Sequence, residues 1–590
     1  MKGIISAIVR EGLLDEQGIA RLKDLVARGR PLDDALREAD GVPEDKLLRF
    51  LAKEMMVPYI ELEEVAPPKE LLAKFPARLL LERRLLPVAD EGDVIVVATS
   101  RLFDTSALDE LRMAGGVDVR PVLAPAAEIE QCLRRNLGTG ADTLQSLATE
   151  AGDGIKVLDE DENDDLDLSA AAQDASIIRF VNQVLTEALE VRATDVHVEP
   201  FENRLRVRYR VDGVLTEANI PAEVRRYQAA IVSRLKILSH LDIAEKRLPQ
   251  DGRIRLKVGG REIDVRVSVI PMLHGEAVVL RILDSGGAMK TMDAIGMAAR
   301  DRVSFEKVLE LPHGIILVTG PTGSGKTTTL YAGLSRINQI DRKIITIEDP
   351  VEYQLPGVNQ IQVSTKAGLT FARGLRAILR HDPDVVLIGE IRDKETAEIA
   401  VPASLTGHLV FSTLHTNDAP GATARLVDMG VEPYLVASSL ELVMAQRLVR
   451  LICQHCKTEV PAPDLAAFQE ELGGEVPEKL WRGRGCRHCQ GTGYRGRQGV
   501  FELMPVTEEI RAMTLERAST GMIRKVAVQQ GMRSLRQDGW RLVQEGRTTV
   551  EEVLRVTKEE HVNVSLEAPS ERSAGAGAAA PSDGTAVVGA

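Results

Sequence analysis

The chain has 590 residues, and at about 150 residues per domain this length predicts roughly four domains. Hydrophobic residues make up 44% of the chain and charged residues 27%, which is the ordinary balance of a folded protein that works in water. The formal net charge of −14 argues against a chain-wide attraction to nucleic acid or anionic lipid, and no apolar run is long enough to predict a membrane-spanning helix. The N-terminus lacks the pattern of a secretory signal, so we expect a cytoplasmic, multidomain protein.

Residues 1–140 combine helical and strand patterns. Apolar residues recur at helical spacing in GIARLKDLVARG and EDKLLRFLAKEMM, whereas LPVADEGDVIVVAT predicts a hairpin that turns at Glu91-Gly92-Asp93. These patterns predict a small N-terminal α/β domain. Residues 141–174 are rich in Gly, Ala and acidic residues and predict a flexible linker, because such a composition cannot bury a core.

The next two regions differ in how helices and strands alternate. Residues 175–290 begin with an amphipathic helix and continue with the strand-like runs DVHVEP, RLRVRYRVDGVL, RIRLKV, IDVRVSVI and AVVLRIL, which predicts an α+β domain. Residues 291–451 repeat a strand–loop–helix pattern in which GIILVTG, KIITIED, DVVLIGE and HLVFSTLH are short apolar strands. That alternation is typical of a doubly wound α/β core built on a parallel sheet.

Residues 320–327, GPTGSGKT, form a phosphate-binding loop of the pattern G-x-x-x-x-G-K-[ST], with a strand before it and a helix after it. Glycines let backbone N–H groups face the phosphates, Lys326 is expected to meet the β- and γ-phosphates of ATP, and the Thr327 hydroxyl is expected to bind Mg²⁺. A chance Gly-rich turn is the alternative, and the flanking strand and helix argue against it. The predicted nucleotide-binding residues are Gly320, Pro321, Thr322, Gly323, Ser324, Gly325, Lys326, Thr327 and Thr328.

Two acidic residues and two histidines follow the strands of the same core. Glu348 ends ITIE and Glu390 follows VVLIG, where carboxylates can hold Mg²⁺ and align the attacking water. Either one alone is consistent with an ordinary loop carboxylate. His408 and His415 lie at opposite ends of LVFSTL, where a histidine can sense the γ-phosphate or simply cap a strand.

Residues 452–495 carry two C-x-x-C pairs. Cys453 and Cys456 form the first pair and Cys486 and Cys489 the second, with 29 residues between the pairs. Four thiolates close a tetrahedral site suited to Zn²⁺, and a site with no open position is structural. A redox dithiol is the weaker alternative, because neither pair lies in a thioredoxin-like context.

Other residues near these pairs leave one question open. His455 and His488 lie inside the pairs and can in principle replace a cysteine as ligand, whereas Cys132 stands alone and is expected to be buried. Residues 496–560 predict a helical region, and residues 561–590 predict a disordered, low-complexity tail.

The motifs of the core resemble those of the secretion ATPases that power type II secretion and type IV pilus assembly. The resemblance rests on GPTGSGKTTTLYAGL, ITIEDPVEYQLPGVNQIQV and LTFARGLRAILRHDPDVVLIGEIRDKETAEIAVPASLTGHLVFSTLHTNDA, which match that family's Walker A motif, Asp box, Walker B motif and His box in order. It extends through RLPQDGRI upstream and AQRLVRLIC downstream, over roughly residues 175–557. It implies a RecA-like ATPase core, a PAS-like fold for the α+β domain, and a homo-hexameric ring with ATP bound between the two lobes.

The resemblance also implies roles for individual residues. Glu348 and Glu390 match the two acids that share magnesium coordination and water activation, with Glu348 expected as the water-orienting base and Glu390 on the metal side. The matching charge-stabilising arginines lie in both lobes. They are Arg266, Arg281, Arg376 and Arg380.

For residues 1–140 the resemblance implies docking to the cytoplasmic domain of an inner-membrane partner, with the motor acting on a membrane-embedded platform protein. The chain is then peripheral at the inner membrane. Some family members bind cyclic di-GMP through an Arg-Leu-Gly start, but GRPLDDALREADGV lacks that order, which argues against cyclic di-GMP binding here.

We therefore expect a Mg²⁺-dependent motor ATPase for type II secretion, with type IV pilus assembly as the alternative. The cysteine pairs and long N-terminal extension argue against a pilus-retraction motor. A nucleic-acid translocase is less favoured, because aromatic residues are only 3% of the chain and its charge is acidic. A non-enzymatic ATP-binding subunit would be expected to have lost an acid or the P-loop lysine, and the chain keeps both.

Overall fold

The computed structural model describes residues 11–137 apart from positions 12, 15, 29, 31, 39–42 and 63–66, together with residues 156–157, 168–258, 261–284, 291–462 and 477–557. Most of the predicted linker and all of the predicted tail lie outside these residues. Among the residues described, no helix combines the length and apolar character needed to cross a bilayer.

The N-terminal region consists of a helical part followed by a three-stranded sheet in the order β1-β2-β3. The predicted hairpin is confirmed, since its two strands pair antiparallel and Gly92 turns between them with a φ of +89°. Cys132 is buried in this domain, as predicted. The elements are α1 (Glu16–Ala27), α2 (Leu32–Glu38), α3 (Glu44–Met55), α4 (Lys69–Leu72), α5 (Ala77–Arg83), β1 (Leu86–Asp90), β2 (Val94–Thr99), α6 (Thr105–Gly115), β3 (Asp118–Leu123) and α7 (Ala126–Leu137).

The second region, which we call the N-lobe, is a seven-stranded antiparallel sheet with two helices packed on one face. Strand β6 shows why one face is covered, because Leu205, Val207 and Tyr209 are buried while the alternating arginines are partly exposed. The α+β architecture is confirmed, and the finer likeness to a PAS domain stays a prediction. The elements are β4 (Lys156–Val157), α8 (Leu168–Glu190), β5 (Ala193–Pro200), β6 (Leu205–Val211), β7 (Val214–Glu217), α9 (Gln228–Leu238), β8 (Gln250–Val258), β9 (Arg261–Met272) and β10 (Gly275–Asp284), with the sheet order β4-β8-β9-β10-β5-β6-β7.

The third region, the core lobe, is a seven-stranded sheet between two layers of helices. Its interior strand β11 is buried along its whole length and pairs with parallel strands on both sides, which explains its continuous apolar sequence. The sheet order is β13-β12-β14-β15-β11-β16-β19. The elements that build the sheet and its helices are α10 (Ala299–Leu309), β11 (Gly314–Thr319), α11 (Lys326–Ile337), β12 (Ile344–Glu348), β13 (Asn359–Gln362), α12 (Phe371–Ile378), β14 (Val385–Ile388), α13 (Lys394–Leu405), β15 (Leu409–Leu414), α14 (Pro420–Asp428), α15 (Pro433–Ser439) and β16 (Leu440–Ile452).

The end of the core lobe differs from the prediction. The segment expected to be helical from residue 496 begins within a long strand, which pairs antiparallel with β16 and makes the sheet mixed rather than purely parallel. The run GVFELM is buried on both faces, and a short, mostly apolar run does not distinguish a strand from a buried helix. The remaining elements are β17 (Lys457–Pro461), β18 (Lys479–Gly483), β19 (Tyr494–Pro505), α16 (Glu508–Leu515), α17 (Thr520–Gln529), α18 (Leu535–Gln544) and α19 (Val550–Val556).

Candidate nucleotide-binding and metal sites

The phosphate-binding loop joins β11 to α11, as the sequence predicts. Gly320, Gly323 and Gly325 have φ values of +143°, +78° and +91°, a region that residues with a Cβ avoid. At Gly320 a Cβ would also lie 2.6 Å from the carbonyl oxygen of Gln446. The loop conformation therefore depends on glycine at these positions, and it leaves the N-terminus of α11 open to an anion.

Lys326, the first residue of α11, folds back over this loop. Its Nζ donates hydrogen bonds to the carbonyl oxygens of Gly320 at 2.8 Å and Pro321 at 3.1 Å. Burial lowers the pKa of Lys326, while the charge of Glu390 acts in the opposite direction. Glu390 and Lys326 are thus electrostatic neighbours, although Lys326 begins α11 and Glu390 follows β14.

Glu348 is buried at the end of β12 and accepts hydrogen bonds from three side chains. Tyr331 Oη donates to one carboxylate oxygen, and Thr346 Oγ1 and Gln360 Nε2 donate to the other at 2.7 and 3.2 Å. Burial and the neighbouring Glu348 carboxylate raise the pKa of Tyr331, so its hydroxyl remains a donor. The three donors hold the carboxylate in one orientation.

Sequence reasoning missed Tyr331 and Gln360 as parts of the site. Tyr331 comes from α11 and Gln360 from β13, and the two side chains also contact each other at 3.3 Å. The sheet register places Gln360 opposite Thr346, which is a long-range contact that no local pattern reports. The apolar spacing of α11 indicates only that Tyr331 is buried.

The Tyr331 contact makes a measurable prediction. Replacing Tyr331 by Phe removes the hydroxyl but keeps the buried ring, so we expect kcat for ATP hydrolysis to fall by about tenfold, since one hydrogen bond to a charged group contributes about 1.5–3 kcal/mol. Steady-state kinetics measure this, and Tyr353→Phe is the control, because that ring packs edge-on against Tyr331 at 4.6 Å, whereas the hydrogen bond to Glu348 comes from the Tyr331 hydroxyl. Equal losses in both variants would show that packing, not orientation of Glu348, is responsible.

Glu390 follows β14 at the carboxyl edge of the sheet, where Glu348 also lies. Its side chain is 11% exposed and contacts His415 Nε2 at 3.3 Å and Arg392 Nε at 2.5 Å. His415 follows β15, the neighbouring parallel strand, so the register brings the two residues together. The sequence-predicted acid and histidine therefore meet beside the phosphate-binding loop.

The structure separates His408 from this group. His408 precedes β15, so it lies at the amino end of the parallel strands, whereas the phosphate-binding loop follows their carboxyl ends. Its Nδ1 lies 2.9 Å from the carbonyl oxygen of Ala403 at the end of α13. His408 therefore fits the alternative in which it caps a strand. Within one chain it lies too far from the phosphate-binding loop to reach the phosphates.

Two predicted arginines lie on the N-lobe sheet and face each other across β9 and β10. Arg266 reaches the core lobe, where its Nη2 donates to the carbonyl oxygen of Val351 at 2.9 Å and its Nη1 lies 3.5 Å from Glu352. Arg281 donates through Nε to Asp195 at 3.0 Å, and its side chain is 54% exposed. Arg266 thus bridges the lobes next to the Asp box, and Arg281 stays within the N-lobe.

The other two predicted arginines lie near the end of α12. Arg376 Nη1 donates to Glu395 at 2.9 Å, and Arg380 Nη1 donates to the carbonyl oxygen of Arg376 at 2.7 Å. The helix starts beside Gly389 at the carboxyl edge of the sheet, and these hydrogen bonds join the two arginines to α13 and to their own helix rather than to the chain's own phosphate-binding loop. They do not join that loop in a single chain.

The four predicted cysteines form one cluster. Their sulfur atoms all lie within 4.8 Å of one another, with separations of 3.9 Å between Cys453 and Cys486 and 3.8 Å between Cys456 and Cys489. Four thiolates around Zn²⁺ at about 2.3 Å would lie about 3.8 Å apart, so the spacing fits the ion. The donor set and geometry therefore suit a closed, structural metal site.

Backbone donors favour the thiolate form of one of these cysteines. Burial raises the pKa of Cys489, but N–H groups of Cys486 at 3.1 Å and Gly493 at 3.3 Å donate to its sulfur and leave the pKa below its usual value. The rings of His455 and His488 stack at 3.8 Å on the exposed side of the cluster. The four sulfur atoms already complete a tetrahedral set without them.

The fold and site define a P-loop nucleotide-binding protein with an α+β lobe before its core. The family profile described as "Type II/IV secretion system protein" matches residues 170–555, and the MshEN domain profile matches residues 55–143. The chain therefore belongs to the type II/IV secretion system protein family, a family of secretion ATPases.

Three relatives show how far the similarity extends. The type II secretion system protein E of Pseudomonas aeruginosa is 54% identical over 67% of this chain and 78% of its own length. The type IV pilus assembly ATPase PilB of Myxococcus xanthus is 41% identical over 93% of this chain and 97% of its own length. The type II secretion system protein E of Xanthomonas campestris pv. campestris is 42% identical over 94% of this chain and 98% of its own length.

Proposed function

We propose that this chain is a motor ATPase that drives protein export through a type II secretion system by assembling a pseudopilus. The observation that carries the proposal is the convergence of Lys326, Glu390 and His415 beside one phosphate-binding loop, with Glu348 held at the next strand end. The family assignment and the relatives named as type II secretion proteins support it.

The chemistry would be in-line attack of water on the γ-phosphate of ATP. The loop N–H groups and Lys326 bind the phosphates, and the fixed Glu348 carboxylate accepts a hydrogen bond from the attacking water and so orients it. Thr327 and Glu390 offer oxygen ligands at the start of α11 and the end of β14, which suits Mg²⁺. When bound, Mg²⁺ supplies positive charge that offsets the charge developing on the phosphate oxygens.

The arginines would couple hydrolysis to movement between the lobes and between subunits. Arg266 contacts the loop after Glu348, so closure of the N-lobe brings a cation toward the phosphates. Arg281, Arg376 and Arg380 do not reach the loop of their own chain, and we propose that they act in a homo-hexameric ring, where another subunit supplies them. An arginine that completes a site in this way contributes strongly to the rate.

The N-terminal region would dock the motor at the inner membrane through the cytoplasmic domain of a membrane partner, and the core would act on a platform protein. The MshEN domain profile matches residues 55–143, outside the range that the secretion-system profile matches, and this supports the proposal of a separate docking unit. The Cys cluster would hold Zn²⁺ as a structural ion. The domain boundaries predicted above are consistent with separate regions for docking, ATP hydrolysis and zinc binding, with β19 assigned to the core sheet.

Type IV pilus assembly is the second candidate. Over more than 90% of the chain, PilB of Myxococcus xanthus and the type II protein of Xanthomonas campestris are almost equally similar, at 41% and 42% identity. Type II relatives reach 47–54% over shorter alignments, which favours secretion. A strain lacking this chain separates the two: loss of exoprotein release with normal pili supports secretion, and the reverse supports pilus assembly.

The ring mechanism is tested by the ATPase rate per subunit as a function of protein concentration, with particle size measured in parallel. We expect the rate to rise as hexamers form, to vanish in Lys326→Ala, and to fall about a hundredfold or more in Arg281→Ala. Arg204→Ala is the matched control, since that arginine is an exposed N-lobe residue paired with Glu217. A rate independent of concentration and of Arg281 would contradict the shared site.

A further inference from the structure

The strand next to the phosphate-binding loop carries a cation that the mechanism above does not use. Arg447 lies on β16, which pairs with β11, the strand that leads into the loop. Its Nη1 lies 3.0 Å from the position a Cβ on Gly320 would take, and the side chain of the preceding Gln446 lies 2.8 Å from a Cβ on Gly325. Residues 446 and 447 therefore touch both ends of the glycine-rich loop.

The contacts of Arg447 point toward the γ-phosphate end of the site. Nη2 donates to the carbonyl oxygen of Asn417 at 2.9 Å, and Asn417 follows His415 and Thr416. Thr416 is joined to the end of β11, because its N–H donates to Thr319 Oγ1 at 2.8 Å. Arg447 thus lies between the first glycine of the loop and the segment that carries the predicted γ-phosphate sensor.

Arg447 and Lys326 both donate hydrogen bonds to backbone oxygens near the phosphate-binding loop. Among the residues that the structure describes, no carboxylate lies within ion-pairing distance of Arg447 or Lys326, and the donors of both side chains go to carbonyl or amide oxygens. Burial lowers the pKa of Arg447, while the charges of Glu502 and Asp418 act in the opposite direction, and the charge of Arg447 lowers the pKa of Lys326. An anion bound near both half-buried cations would offset the repulsion between their charges.

We propose that Arg447 is a second phosphate-binding cation of the nucleotide site and that it acts on the terminal phosphate of a nucleoside triphosphate. The proposal rests on the proposed function, because it assumes that the loop binds ATP. It differs from a purely structural role, in which Arg447 would only join the loop after His415 to β16. The two roles predict different responses to the number of phosphates.

The experiment compares wild type with Arg447→Gln by calorimetry, using the imido analogue of ATP and ADP as ligands. We expect the affinity for the triphosphate to fall about tenfold or more and the affinity for ADP to change less than about threefold, since a charge-assisted contact to the γ-phosphate is lost. The melting temperature without nucleotide should be unchanged or higher, because a repelling charge is removed. Arg447→Lys should recover part of the preference for the triphosphate.

Two controls separate failure of this proposal from failure of the proposed function. Arg336→Gln changes an exposed arginine in the last turn of α11 and should match wild type. Lys326→Ala should abolish binding of both nucleotides, and if it does not, the assigned ATP site itself is wrong. If Lys326→Ala fails to bind while Arg447→Gln binds normally, weakens both ligands equally, or melts lower with an unchanged triphosphate preference, the role of Arg447 is overturned.

Discussion

Replacing Glu390 by Gln is expected to reduce kcat for ATP hydrolysis by about a hundredfold or more while changing nucleotide affinity little. The amide keeps the size of the side chain but removes the negative charge beside Lys326, His415 and the proposed magnesium ligands. Loss of one such catalytic group typically lowers a rate by about 10²–10⁴. Nucleotide binding depends mainly on the loop and Lys326, which this substitution leaves in place.

The measurement is a steady-state rate combined with a direct binding titration, so that kcat and affinity are separated. Glu398→Gln is the matched control, because Glu398 lies on the exposed side of α13 and pairs only with Lys394 in the same helix. A Glu390→Gln protein that hydrolyses ATP at the wild-type rate would remove Glu390 from the catalytic set and leave Glu348 as the acid to explain.

The second large effect concerns the cysteine cluster. Cys489→Ser is expected to abolish zinc binding and to lower the melting temperature, because it removes one of four ligands from a closed site at which metal binding is coupled to folding. In small zinc modules the apparent binding free energy is about 10–16 kcal/mol, so loss of the ion would leave β17 and β18 poorly held. Metal analysis by mass spectrometry and limited proteolysis between β17 and β18 report the two consequences.

Two substitutions act as controls for the cluster. Cys132→Ser changes the buried cysteine of the N-terminal region and should leave zinc content at one ion per chain. His488→Ala should also retain zinc, because the four sulfur atoms already complete the ligand set. Zinc retained in Cys489→Ser but lost in His488→Ala would show that a histidine is a ligand and that the Cys₄ assignment is wrong.

The sequence predicted most of the parts that depend on local pattern. Strands β11, β12, β14 and β15 are short apolar runs next to recognisable loops, and the phosphate-binding loop has a fixed spacing, so both were accessible without the structure. The predicted strand-like run RLRVRYRVDGVL likewise corresponds to β6 and the start of β7. The hairpin between β1 and β2 was predicted because acidic residues and a glycine interrupt two apolar runs.

The parts that the sequence did not predict depend on which elements are neighbours. The central part of β19 is buried on both faces and lacks a regular polar–apolar alternation, so periodicity alone did not reveal a strand that completes the core sheet. Tyr331 and Gln360 contact Glu348 only because α11, β12 and β13 are adjacent in space. In the proposed ring, the positions of Arg376 and Arg380 relative to a phosphate would depend on a second copy of the chain, whose geometry no single-chain pattern contains.

The pairing of β16 with β19 has a mechanical consequence for the metal cluster. The strands pair in one register from Leu442 opposite Pro505 to Arg450 opposite Arg497, and after a one-residue shift Ile452 lies opposite Tyr494. The cysteine cluster lies in the segment that joins the two strands. A metal ion bound by the cysteines would act as the turn of one long hairpin, and the β16 strand of that hairpin carries Gln446 and Arg447 against the phosphate-binding loop. An ion that touches no substrate would then limit how far β16 can slide or fray. It would thereby hold the residues beside the phosphate-binding loop in place through repeated cycles of ATP hydrolysis.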